Sequence, residues 1–211
     1  MMPAGSGNRT HFSMIRQFHL ADVFTLANGA LGTGAVLAFM RFLVDGRTSF
    51  FWLGAAFLPV AVVMDALDGR IARRRGVASP LGQELDSLAD VVSFGVAPAA
   101  MAFAVGMRGG WDALLLIYFV GCGISRLARY NVTASAAAAA ETKVRYFEGF
   151  PIPTSLLLVG VLAALVGLDL WQDRLPLGAF SFAGATLHPL SLLFGLHGSA
   201  MISKTLRIPK P

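Results

Sequence analysis

Six mostly apolar stretches recur along this chain, each near the length of about 20 residues that a helix needs to cross a bilayer. They cover residues 22–44, 51–70, 85–105, 111–127, 151–168 and 179–202. A soluble fold of 211 residues has no interior large enough to hide them. The chain is 55% hydrophobic and 14% charged, against roughly 25% charged in ordinary soluble domains. This excludes a disordered chain, a collagen and a disulfide scaffold, and Cys122, the single cysteine, has no internal partner. The expected fold class is an all-α integral membrane protein with six transmembrane helices, residues 22–205, followed by a cytoplasmic tail at 206–211. The sixth stretch carries His188, Pro189 and several glycines, so its start is the least defined.

Charge supplies an independent test of that layout. Loops on the cytoplasmic side of a membrane carry an excess of Lys and Arg. With both termini inside, only Arg41, Arg47, Arg108 and Arg174 of the 17 Lys and Arg fall outside. Five or seven spans would scramble this pattern. The basic balance, +5, therefore reads as cytoplasmic loops facing anionic lipid heads. Nucleic acid is not an expected partner, since no basic run is interleaved with aromatics. Residues 1–11 lack the apolar core and cleavage pattern of a signal peptide. In segment 1–21, Phe12, Ile15 and Phe18 recur at helical spacing beside Arg16 and His19, which predicts a short juxtamembrane amphipathic helix on the cytoplasmic surface. The alanine-rich run 134–140 lies in the longest inside loop and reads as helix or spacer. Asn8 and Asn131 match the glycosylation pattern but fall inside, so they are discounted. The four histidines are scattered, and none is read as a ligand.

The acids are not scattered. Asp65, Asp68, Glu84, Asp86 and Asp90 account for five of the 12 Asp and Glu. Asp65 and Asp68 close the second apolar stretch at a spacing of i, i+3. Asp86 and Asp90 open the third at i, i+4, so each pair shares one helix face. Gly76, Pro80 and Gly82 allow the chain to turn back between them. Two antiparallel helices would then bring four carboxylates together. Acids at membrane depth are costly and usually functional, and such a group requires positive charge. Arg70 and Arg73 supply part of it; a hard divalent cation suits the oxygen ligands better. No His or Cys is near, which disfavours zinc; Mg²⁺ or Mn²⁺ fits, possibly as a pair. Gly69, Ala72 and Gly82 add small residues beside the acids, consistent with a slot for a flat or phosphorylated group or with close helix packing.

Asp65-Ala-Leu-Asp68-Gly69-Arg-Ile-Ala72-Arg73, followed by Gly82, Asp86 and Asp90, resembles the signature of the CDP-alcohol phosphotransferase family, D-x2-D-G-x2-A-R-x8-G-x3-D-x3-D. All specified residues stand at the family spacing. The resemblance implies a six-helix membrane enzyme that transfers a substituted phosphate from a CDP-linked donor to an alcohol and releases CMP. It implies that Asp65, Asp68, Asp86 and Asp90 hold a divalent metal pair, with Asp86 and Asp90 catalytic and Asp90 the candidate base. Asp65, Asp68, Gly69, Ala72, Arg73 and Gly82 would bind the CDP donor. Thr25 and Asn28 on the first span are similar to the family's donor contacts, although the segment reads Leu20-Ala-Asp-Val where an Ile-Pro-Asn-like start is usual.

Three further segments resemble the phosphatidylserine synthase branch of that family: 86–98, 121–131 and 147–153, with Met201-Ile-Ser-Lys204 near the end. That branch uses CDP-diacylglycerol and L-serine. Arg126 and Arg129, at i, i+3, offer bidentate geometry for a serine carboxylate or a lipid phosphate, or mark the inner boundary. Other alcohols (inositol phosphate, glycerol phosphate, choline) and an archaeal-type lipid donor are the alternative readings. A small cation transporter is a remote one, since the acids cluster at one face and no repeated halves are visible. The branch implies an integral protein of a bacterial-type cytoplasmic membrane, with termini and active site on the cytoplasmic side, membrane lipids as its surroundings and a homodimer as a possible assembly.

Overall fold

A computed structural model describes residues 20–75, 80–139, 146–203, 205 and 207–209, with side chains at 21–71, 81–134, 149–203 and 205. The expected amphipathic helix of segment 1–21 lies outside the described residues, apart from Leu20 and Ala21, which begin the first helix.

Helix α1 (Leu20–Asp45) has 26 residues and is therefore about 39 Å long, enough to cross a hydrocarbon core. It ends at Gly46, whose φ of +67° is the left-handed conformation that glycine adopts without strain. Its N–H caps the Phe42 carbonyl at 2.9 Å. Helix α2 (Thr48–Arg75) returns against α1. Next come α3 (Pro80–Asp90), a π-helical stretch (Val91–Val96) and α4 (Ala97–Val105) without a break, then α5 (Gly110–Ala139). The shorter α6 (Leu156–Gly167) and α7 (Leu192–Ile202) each follow a 3₁₀ turn. Four helical segments are long and apolar enough to cross a membrane: Ala21–Asp45, Thr48–Ile71, Leu81–Val105 and Gly110–Ala134; Ile152–Gly167 and Pro189–Ile202 are shorter apolar helices.

The interior is built from apolar side chains that interdigitate between helices. Phe39 and Phe42 of α1 pack on Phe51 of α2, with ring centroids 5.9 and 5.5 Å apart. Phe119 of α5 meets Phe194 of α7 edge to face at 5.2 Å. Outward-facing residues are also apolar: Val44, Ile117, Leu157 and Leu196 are all exposed. In water that surface would be unfavourable, at about 25 cal/mol per Å²; facing acyl chains it carries no such cost.

The sequence-based boundaries hold to within a few residues for the first two helices. The third begins at Pro80 rather than 85, and α5 runs through the alanine tract to Ala139. Two departures are larger. Residues 180–187, placed within the sixth span by their hydropathy, form an antiparallel hairpin of β2 (Phe180–Phe182) and β3 (Ala185–Leu187). Apolar and polar residues alternate in Phe-Ser-Phe and Ala-Thr-Leu, a period of two that suits a strand. Ala183 and Gly184 both have positive φ, as a two-residue hairpin turn requires. The second departure is β1 (Tyr146–Glu148), which pairs with β4 (Arg207–Pro209). The fold is mostly helical with two small ribbons, not purely α.

Candidate active site

Helices α1, α2 and α3 converge on the acids. Asp65 and Asp68 lie near the end of α2, and Asp86 and Asp90 on α3. Asp65, Asp68 and Asp86 each offer a carboxylate oxygen such that all three lie within 4.8 Å of one another. Asp90 stands beside this trio, within Coulombic range of all three. Helices α2 and α3 thus bring the two acid pairs together, as the i, i+3 and i, i+4 spacings anticipated.

Helix α1 completes the site. Thr25 Oγ1 donates to Asp68 Oδ2 at 2.7 Å, and Asn28 Nδ2 donates to Asp90 Oδ1 at 3.1 Å. Both α1 residues are buried, as are Asp68 and Asp90. The residues expected to touch the donor therefore grip two of the acids. What holds α1 there was not visible in the sequence. Ser93, inside the π-helical stretch, donates to the Asn28 carbonyl at 2.9 Å. Gly32 lies so close that a Cβ on it would sit 2.3 Å from Ser93 Oγ and 2.7 Å from Ser93 Cα. Only a glycine permits that approach. The π-helical stretch begins directly after Asp90, a placement common at functional sites.

Two buried oxygens here have no hydrogen-bond partner among the described residues: Asp86 Oδ1 and Asn28 Oδ1. An unpaired buried acceptor is expensive unless something positive meets it. For a carboxylate oxygen beside two further carboxylates, a cation is the natural partner. The donor set is all oxygen, which suits a hard divalent ion and not zinc.

The two arginines on α5 separate. Arg126 is buried, its guanidinium 5.9 Å from the Tyr130 ring centroid. It lies within electrostatic range of Asp90, and its Nε is buried without a partner among the described residues. Arg129 is directed elsewhere and donates to the Ile202 carbonyl at 3.3 Å, at the end of α7. Gly69 and Gly82 are half-buried on α2 and α3. Ala72 and Arg73 continue α2, and their side chains lie outside those described. Lys143 and Arg145 lie outside the described residues. Asn131 is part of a polar tie between helices: it accepts from Gln83 Nε2 at 3.1 Å and donates to Ser87 Oγ at 2.9 Å. The i, i+4 spacing of Gln83 and Ser87 was the available signal, and the glycosylation pattern concealed it.

The chain is similar in sequence to known proteins. The family model for CDP-alcohol phosphatidyltransferase matches residues 18–196. A CDP-diacylglycerol–serine O-phosphatidyltransferase of Saccharomyces cerevisiae is 46% identical over 95% of this chain and 74% of its own length. One from Methanocaldococcus jannaschii is 33% identical over 77% of this chain and 75% of its own. One from Mycobacterium leprae is 39% identical over 51% of this chain and 37% of its own. By the extent of the family match and by these relatives, the chain belongs to the CDP-alcohol phosphatidyltransferase family.

Proposed function

We propose that this chain is a phosphatidylserine synthase, transferring the phosphatidyl group of CDP-diacylglycerol to the hydroxyl of L-serine with release of CMP. The observation that carries the reading is the trio Asp65, Asp68 and Asp86, with Asp68 held by Thr25 and the neighbouring Asp90 by Asn28. The relatives that share most of the chain are named for this reaction.

Asp65, Asp68, Asp86 and Asp90 would hold Mg²⁺ or Mn²⁺, as one ion or a pair. Such an ion neutralises the donor diphosphate and favours CMP as the leaving group. The remaining work falls to the chain. Gly69, Ala72, Arg73 and Gly82 would bind the CDP part of the donor. Asn28 Nδ2 donates to Oδ1 of Asp90 and so fixes the orientation of the carboxylate that would meet the serine hydroxyl. Asp90 takes the hydroxyl proton as serine Oγ bonds to phosphorus and the bond from phosphorus to the CMP oxygen breaks. Arg126, within electrostatic range of Asp90, holds the serine carboxylate and sets the hydroxyl against the base. Arg129, on the Ile202 carbonyl, positions α7.

The purified protein should release CMP from CDP-diacylglycerol when offered L-serine, and far less with inositol phosphate, glycerol phosphate or choline. EDTA should abolish release and Mg²⁺ or Mn²⁺ restore it. Undiminished turnover after exhaustive chelation, or a preferred alcohol other than serine, would overturn the assignment.

The catalytic unit spans residues 22–205. All six apolar helical segments cross the bilayer, the two short ones included, with both termini and the acids on the cytoplasmic side of the cell membrane. The charge asymmetry supports this layout. A cysteine introduced between Gly76 and Pro80 should react with a membrane-impermeant maleimide only from the cytoplasmic side. Labelling from the opposite side would invert the orientation.

A further inference from the structure

The β2–β3 hairpin presents an apolar face that the described residues leave largely uncovered: the Phe182 ring lies 6.2 Å from that of Trp111 and Ala185 meets Gly110, while most of Phe180 and Phe182 stays exposed. Residues two apart on a strand share a face, and cross-strand partners share it too. Phe180 and Phe182, paired with Leu187 and Ala185, therefore form one side. Ser181, paired with Thr186, forms the other. Phe180 is 60% exposed and Phe182 is 71% exposed, so the apolar–polar alternation of a half-buried ribbon is present while the described residues cover little of its apolar side.

The hairpin is not a loose loop. Trp111 Nε1, in the first turn of α5, donates to the Phe182 carbonyl at 2.9 Å. Asp112 accepts from the His188 backbone N–H at 2.8 Å and pairs with His188 Nδ1 at 2.6 Å. A Cβ on Gly109 would lie 2.0 Å from the Thr186 carbonyl oxygen, so the two backbones are in direct contact. The apolar face is thus held in one orientation against the end of α5.

Two further facts say what covers it. On α5, Leu114, Ile117 and Tyr118 are exposed and continue from Trp111 at helical spacing, so the hairpin extends a lipid-facing stripe. The helix that follows the hairpin is also short. Pro189–Ile202 spans about 22 Å, against a hydrocarbon core of about 30 Å. With its Ile202 end tied to α5 through Arg129, this short segment brings the hairpin that precedes it to the opposite boundary. A two-stranded ribbon has unpaired edge groups that hydrocarbon does not tolerate, whereas the headgroup boundary does. Aromatic residues favour that boundary.

We propose that the β2–β3 hairpin is a membrane-interface anchor, with Phe180, Phe182 and Leu187 set into the headgroup–acyl boundary at the end of the bundle remote from the acids, and Ser181 and Thr186 facing water. The test uses single cysteines at Phe180, Phe182, Ser181 and Thr186 in a Cys122→Ala background. Each is labelled with a nitroxide and reconstituted in nanodiscs of phosphatidylglycerol and phosphatidylethanolamine. Collision with oxygen, which concentrates in lipid, is compared with collision with an aqueous nickel chelate. Labels at 180 and 182 should favour oxygen several-fold over those at 181 and 186. A label replacing Leu187, on the same face, should match 180 and 182, so the test survives if Phe182→Cys unseats the hairpin. Equal access of the nickel chelate to both faces overturns the proposal. Shielding of 180 and 182 from both reagents also overturns it, because a second protein chain would then cover the face.

Discussion

Asp68→Asn should remove nearly all CMP release, at least about 10³-fold, whichever substrate is raised. The loss corresponds to roughly 4 kcal/mol of transition-state stabilisation. The substitution is informative because it changes so little else. Thr25 donates to Asp68 Oδ2, and an asparagine oxygen accepts the same bond. The buried volume is nearly conserved. The change removes one negative charge from a trio whose oxygens lie within 4.8 Å. Thermal stability of the variant should therefore hold or rise, since three crowded anions become two. A variant that retains a tenth of wild-type turnover would show that Asp68 is not a metal ligand. A variant that fails to fold would be recognised by its melting curve, and Asp65→Asn then asks the same question at a less buried member of the trio.

Arg126→Ala should raise the KM for serine about 10- to 150-fold while leaving the KM for CDP-diacylglycerol within a few-fold. Losing a hydrogen-bonded charge partner costs on the order of 1.5–3 kcal/mol, which sets that range. The argument rests on position. The Arg126 guanidinium is buried within electrostatic range of Asp90, and its Nε has no partner among the described residues, so it is a cation available to a carboxylate bound near the proposed base. Arg126→Lys should recover only part of the loss, because an ammonium keeps the charge but not the bidentate fork. Arg129→Ala gives the contrast. Its side chain holds the Ile202 carbonyl, so the expected result is a lower melting temperature with a nearly normal KM for serine. If Arg126→Ala keeps the wild-type serine KM and instead weakens the donor lipid, the guanidinium belongs to the phosphate of the lipid.

The distance between what was legible and what was not follows the range of the interactions involved. Asp65, Asp68, Asp86 and Asp90 were identifiable because each pair's spacing acts within one helix, and the few residues that separate the two pairs along the chain leave little freedom in how they meet. Thr25 and Asn28 lie some 40 and 60 residues from the acids they bind. Composition alone gave no reason to join them; only the family likeness pointed to α1. The difference between Arg126 and Arg129 was hidden for the same reason. At i, i+3 they look equivalent, and only the placement of α7 turns one toward Ile202 and leaves the other by Asp90.

Hydropathy likewise measured how apolar a stretch is, not what it forms. It placed residues 180–187 in a helix, where Ala183 and Gly184 turn the chain into a hairpin. The amino-acid sequence by itself determined the membrane class, the long helices and the four carboxylates, because apolar length and in-helix spacing are local quantities. Tertiary structure decided which helix grips the acids, which arginine faces them and where the last helix begins. Those depend on close approaches such as Gly32 on Ser93 and Gly109 on Thr186, where two distant backbones meet and no local pattern records the encounter.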